Sequence, residues 1–111
     1  MAAYKMVVLS NPKPGKYEVC DRWYRQTHLD DVVKLPSFIA AQRFTLAHPM
    51  AQNAPYQFMA VYDIETDDVE RSFNELVQAS EAGRMVISDD LDRDNLYAAI
   101  YACDGRLVKQ L

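Results

Sequence analysis

A chain of 111 residues, half of them hydrophobic, has room for one compact domain with its own core, so residues 1–111 are read as a single domain. A formal net charge of −4, with no basic cluster interleaved with aromatics, argues against nucleic acid as a partner. No stretch approaches the roughly twenty apolar residues of a membrane span, and MAAYKMVVLS lacks a secretory pattern, so a soluble, cytoplasmic protein that avoids membranes is expected.

Tyr4 to Ser10 is a β-rich apolar run, stopped by Asn11, Pro12, Pro14 and Gly15 in a strand-and-turn pattern. Lys16 to Pro36 follows with helical periodicity, and Leu35-Pro36 marks its end because the residue before a proline is pushed out of the α region. Wound at about 100° per residue, it gathers Tyr17, Cys20, Tyr24, His28, Asp31 and Leu35 on one side, with Trp23 and Val32 at the margins. Glu18, Arg22, Arg25, Gln26 and Leu29 fall on the other side.

Ser37 to Ala47 alternates as a second strand, with Phe38, Ala40, Gln42, Phe44 and Leu46 on one face and Ile39, Ala41, Arg43 and Thr45 on the other. His48 to Pro55 is a loop of hairpin length, and Tyr56 to Ile64 is a third strand whose Tyr56, Phe58, Ala60, Tyr62 and Ile64 share a face. Asp67 with Glu70 predicts a helix start; Val69, Phe73, Leu76 and Val77 form its buried stripe, and Gly83 ends it. Arg84 to Asn95 is an acidic connection with a possible short helix at Met85, and Leu96 to Ala102 is the last strand. Asp104-Gly105 then turns into the tail RLVKQL.

The order β-α-β-β-α-β with right-handed crossovers predicts an α+β, ferredoxin-like fold: a four-stranded antiparallel sheet with both helices on one face. Strands apolar on both sides, such as LYAAIYA and YQFMAVYDI, suit a second sheet against the bare face, so a homodimer is expected.

Several side chains carry possible chemistry. His28 interrupts the inward side of the first helix, where an ionisable group is costly unless paired; it is either a general acid/base or a histidine hydrogen-bonded for packing. Asp31, one turn on, could fix its tautomer or face solvent beside Asp30. Tyr24, one turn before, could donate to a developing enolate or simply fill the core. Trp23 is read as a pocket wall. Arg43 could hold a carboxylate or phenolate ligand, or pair with Asp63 across neighbouring strands, which is the preferred reading. Phe44, Tyr62 and Phe73 complete the substrate-contacting set, although packing is the plainer role for Tyr62, Tyr97 and Tyr101.

Cys20 lies about 12 Å along the helix from His28, too far for a nucleophilic pair. Cys103 reads as a small hydrophobe, and His48 as an exposed loop residue. The two cysteines and two histidines form neither a disulfide framework nor a zinc-ligand spacing. Asp89, Asp90, Asp92 and Asp94 lack the glycine and terminal glutamate of a calcium loop. Free thiols, no metal and no cofactor are expected.

A first strand ending in a Pro/Gly turn, a helix with Trp23 and His28 closed by Leu35-Pro36, and the strand AAQRF (Ala40 to Phe44) together resemble the EthD-like branch of the dimeric α+β barrel superfamily. The resemblance implies a homodimer with a small apolar pocket between helices and sheet in each monomer, and it matches His28 to the helix histidine of that pattern. The superfamily includes muconolactone-type isomerases, polyketide cyclases, cofactor-free monooxygenases of antibiotic biosynthesis and haem-degrading members. From the acid/base groups, the leading expectation is a cofactor-independent enzyme performing isomerisation, cyclisation or elimination on a small hydrophobic, cyclic or aromatic oxygenated metabolite. The alternatives are oxygen insertion, or a non-catalytic accessory protein that supports a partner oxygenase.

Overall fold

The computed structural model describes residues 2–50, 53 and 55–111. The elements in order are β1 (Ala2–Ser10), a helix α1 (residues 17–33), β2 (Phe38–Thr45), β3 (Phe58–Thr66), α2 (Val69–Glu81) and β4 (Tyr97–Ala102). They form one antiparallel sheet in the order β2-β3-β1-β4 with both helices on one face, the expected ferredoxin-like arrangement. No helix among the described residues is long and apolar enough to cross a membrane. Of the loop expected at residues 48–55, positions 51, 52 and 54 lie outside the described residues.

The core sits on the helix side of the two central strands. Phe58, Ala60, Tyr62 and Ile64 alternate along β3, each about 1% exposed, and Met6 joins them from β1. This is the period-two pattern of a strand buried on one face. Cys20, Tyr24 and Val32 close over them from α1, and Ala79 from α2.

Strand β2 departs from its expected pattern. A bulge between Phe38 and Ala40 inserts one residue, which flips every later side chain to the other face. Phe38 faces the helices opposite Ile64, but beyond the bulge Ala41 lies opposite Tyr62 and Arg43 opposite Ala60. Ala40, Gln42 and Phe44 therefore point to the outer face. Arg43 is inside, and Phe44 is not.

Helix α1 also carries an irregularity. Its α-helical first part, Tyr17–Trp23, passes into a π-helical turn, Tyr24–His28, before α-helix resumes at Leu29–Val33. The extra residue per turn rephases the helix. Val32, expected at the margin, is fully buried, and Leu29, expected on the far side, packs against the core. Asp31 is displaced to the flank, its Oδ1 3.7 Å from Lys34 Nζ.

Helix α2 starts one residue later than expected: Asp68, with extended backbone, accepts a hydrogen bond from the Arg71 N–H at 3.1 Å and so caps the first turn. Phe73 is half exposed, while Ser72 and Ala79 are buried in the stripe. Gly83, at φ +76°, terminates the helix as expected, its N–H donating to the Ser80 carbonyl. No helix forms around Met85. Residues 84–96 run irregularly across the end of the sheet, held by pairing of Leu91 with Pro12 and by the Lys13 N–H donating to Asp90 O at 2.8 Å. Met85 and Leu91 are only 3% exposed, so apolar side chains anchor the connection to the core.

The molecule is a slab 22 Å thick, and among the described residues no element covers the outer sheet face. Val7, Leu9, Val61, Phe44, Tyr97 and Tyr101 lie there with the Lys5–Asp63 ion pair.

Candidate functional site

A cavity of about 500 Å³ opens between α1, α2, the sheet and the 84–96 connection. Met6 and Val8 of β1, Tyr62 of β3 and Ala98 of β4 form its floor. Trp23, Tyr24, His28 and Val32 of α1 form one wall, Phe73, Leu76 and Val77 of α2 another, and Met85, Ile87 and Leu91 the end. The lining is predominantly apolar with a few polar groups, the composition expected of a small-molecule site.

The π-helical turn arranges the aromatic wall. Trp23 and His28 are five residues apart, and in a regular α-helix they would point roughly 140° from each other. Closing the turn with i to i+5 hydrogen bonds brings them into line, and their rings stack at 4.6 Å with planes 24° apart. Tyr24 meets His28 edge-on at 5.4 Å, and Tyr62 does so from the sheet at 6.3 Å. The Trp23 Nε1–H donates to the Val86 carbonyl at 3.2 Å, which ties the indole, and through it the imidazole, to the loop that closes the cavity.

Burial lowers the His28 pKa from 6.5 to about 4, with the nearby Asp31 charge opposing only in part. The imidazole is therefore neutral at pH 7, and its Nδ1 is buried without a hydrogen-bond partner among the described residues. Asp31 is turned to Lys34 and does not line the cavity, so it does not fix the His28 tautomer. This corrects the expectation of a His28–Asp31 pair.

The hydroxyls of the two tyrosines differ in their partners. Tyr24 Oη and Ser10 Oγ are hydrogen-bonded at 3.1 Å, both buried, so the Tyr24 hydroxyl is already engaged. Tyr62 Oη is buried with no partner among the described residues. Burial pushes the Tyr62 phenol upward, reinforced by Tyr24 and eased by Arg43, so it remains a neutral donor. An unpartnered buried hydroxyl is costly, and a ligand oxygen in the cavity would relieve it.

His28, Tyr24, Trp23, Tyr62 and Phe73 are thus brought together around one cavity, while Asp31, Arg43 and Phe44 are not. Phe44 sits on the outer face because of the bulge. Arg43 lies inside, with its side chain 2% exposed and its Nη2 3.0 Å from Asp21 Oδ1, so the expected pair with Asp63 does not form; Lys5 takes Asp63 instead. His48 is exposed and lines a separate surface hollow with Leu46 and Tyr56. Cys20 and Cys103 are free thiols, buried and exposed respectively. Arg93 pairs with Asp89 at 3.6 Å and also donates to the Ile87 carbonyl, so that acidic stretch is partly organised by its own arginine. Sequence reasoning missed Met85, Ile87 and Leu91 as cavity residues. Their only signal was apolar composition inside an acidic connection, which does not single them out, since Val86 of the same stretch is exposed.

No protein-family model matches this chain, and no curated protein does. Solved structures do. A protein described as a monooxygenase from Shewanella loihica PV-4 superposes with a TM-score of 0.63 at 15% identity, over 98% of this chain and 97% of that one. An EthD-like protein from Ralstonia eutropha JMP134 gives 0.58 at 12% identity, over 90% of each chain. A dimeric ferredoxin-like protein of unknown function from Jannaschia sp. CCS1 gives 0.59 at 12% identity, over 88% of this chain and 96% of that one. By fold, this chain is a ferredoxin-like α+β protein of the kind that includes EthD-like and dimeric ferredoxin-like proteins.

Proposed function

We propose that this chain is a cofactor-independent enzyme that binds a small hydrophobic, cyclic or aromatic oxygenated molecule in the cavity and takes a proton from it at His28. One observation carries the reading: an unprotonated imidazole with an unpartnered buried nitrogen stands at the wall of an apolar cavity, edge-on to a tyrosine whose hydroxyl is also unpartnered. His28 is the base, Tyr62 donates to the oxyanion that develops, and Trp23, Tyr24 and Phe73 hold the ring system and exclude water.

In the favoured reading the carbanion then reduces dioxygen. Conversion of a CH₂ group to a carbonyl consumes one O₂, places one oxygen atom in the product and releases the other as water. The protein supplies the base, the hydrogen-bond donor and a dry cavity. The likeness in fold to proteins described as monooxygenases supports this order. The second reading keeps the same proton transfer and returns the proton elsewhere, giving isomerisation, cyclisation or elimination; the paired base and donor favour it equally.

The test uses cyclic ketones and cyclic 1,3-diketones that carry a CH₂ group beside the carbonyl as probes. Deuterium exchange of their acidic C–H in D₂O reports proton removal, and an oxygen electrode reports oxygenation. Wild-type protein should accelerate exchange and His28→Ala should abolish it with the fold intact. Exchange with oxygen uptake selects the first reading, exchange alone the second. Tight binding without either would leave an accessory, non-catalytic binder.

We further propose that two copies pair through the uncovered sheet face. Apolar residues on that face and a dimeric neighbour of the same fold support it. Val61→Glu should yield a monomer by sedimentation; an unchanged mass would reject this face as the interface.

A further inference from the structure

The cavity chemistry above leaves Arg43 unused, although its charged side chain is almost fully buried, which is costly. Its guanidinium is wedged between two rings, with Cζ 4.6 Å from the Tyr24 centroid and 4.2 Å from that of Phe58. Nη2 approaches Asp21 Oδ1 at 3.0 Å but out of line for a hydrogen bond, and Nε and Nη1 have no hydrogen-bond partner among the described residues. Asp21 is also shared: the exposed Arg25 directs Nε at both of its carboxylate oxygens, each at 3.1 Å. One carboxylate therefore serves two guanidiniums, so Asp21, Arg25 and Arg43 taken together keep one positive charge in excess.

That surplus lies directly behind the aromatic wall of the cavity. Tyr24, whose ring Arg43 covers, lines the cavity together with Tyr62, while Arg43 itself does not. The Arg43 charge favours the ionised form of both phenols, against the opposing effect of burial. The other charged groups around the site are Glu81 and Arg93 of the lining, both exposed, Asp31 behind His28, and the half-buried Asp90, whose negative charge acts on Cys20 alongside those of Arg43 and Asp21. A buried ion pair retained only for stability is a poor explanation, because apolar residues of similar volume usually serve a core as well or better.

We propose that Arg43 is a specificity-determining residue that makes the cavity favour the anionic over the neutral form of an acidic ligand held against Tyr24 and Tyr62. The proposal rests on the cavity being the ligand site. A unit charge roughly 10 Å away, acting through an effective dielectric near 20, shifts the acidity of a bound ligand by about one pK unit.

The probe is 4-nitrophenol, whose ionisation is read by its visible absorbance in the presence of excess protein. In Arg43→Met, folded by circular dichroism, the apparent pKa of the bound probe should rise by about one unit relative to wild type, and Arg43→Lys, which keeps the charge, should recover most of the difference. Asp21→Asn removes the counter-charge and should lower it. An Arg43→Met protein that binds the probe with the wild-type pKa overturns the proposal and leaves the cavity reading standing. Failure of wild-type protein to bind the probe defeats the cavity reading and the proposal with it. Should Arg43→Met not fold, an unchanged or raised pKa in Asp21→Asn overturns the proposal.

Discussion

Replacing His28 with glutamine removes a titrating group while keeping a polar side chain of similar reach. In the folded protein burial holds the imidazole pKa near 4, against 6.5 for an unperturbed histidine. The unfolded chain therefore takes up a proton near pH 6.5 that the folded chain refuses until about pH 4. The sign follows directly. Stability from this group is constant above neutral pH and is lost as pH falls between 6.5 and 4, at a limiting slope of about 1.4 kcal/mol per pH unit. By pH 5 roughly 2 kcal/mol has gone, a sizeable share of the total stability of a small domain. Urea unfolding at pH 8 and pH 5, at one fixed protein concentration, measures it. Losses from carboxylates are common to both proteins and cancel, so wild type should lose about 2 kcal/mol more than His28→Gln over this interval. A difference below roughly 0.5 kcal/mol, or an imidazole NMR titration with a midpoint above 6, would refute the neutral-base argument.

Tyr62→Phe removes a buried hydroxyl that has no partner among the described residues, so the empty protein should be unchanged or more stable by up to about 1 kcal/mol in thermal unfolding, while affinity for oxygenated ligands falls. A clear loss of stability would mean that the hydroxyl is paired. Asp68→Ala deletes the cap of α2 and should cost about 1 kcal/mol, read as a lower urea midpoint with an unchanged slope. With Ellman's reagent, Cys103 should react at once, whereas Cys20, fully buried with its thiol pushed up by that burial, should react only as fast as the protein opens; two rapid equivalents would contradict the packing around α1.

The parts of this protein readable from sequence are those in which side-chain periodicity and backbone geometry agree. Alternation along β3 identified the buried face that carries Tyr62, and the spacing of Cys20, Tyr24 and His28 placed an ionisable group on the inward side of α1. Punctuation by Pro36 and Gly83 limited the two helices within a few residues of their observed ends. Element order then dictated the sheet topology through chain connectivity alone.

What failed, failed at irregularities of a single residue. The bulge after Phe38 reversed Arg43 and Phe44, and the π-helical turn moved Asp31 outward and Val32 inward while stacking Trp23 on His28. Neither has a local propensity strong enough to announce itself: the π-helical turn shows only in the burial of Val32 and the packing of Leu29, and the bulge only in the register of β2 on β3. The same holds for partners distant in the chain, such as Ser10 with Tyr24 and the closure of the cavity by residues 84–96. By itself the sequence determined the elements, their order and the presence of an inward-facing histidine, since these follow from local geometry and hydrophobic period. Only the tertiary structure decided which polar atoms stay unpaired around it, because that depends on which surfaces are left to meet after the core has packed.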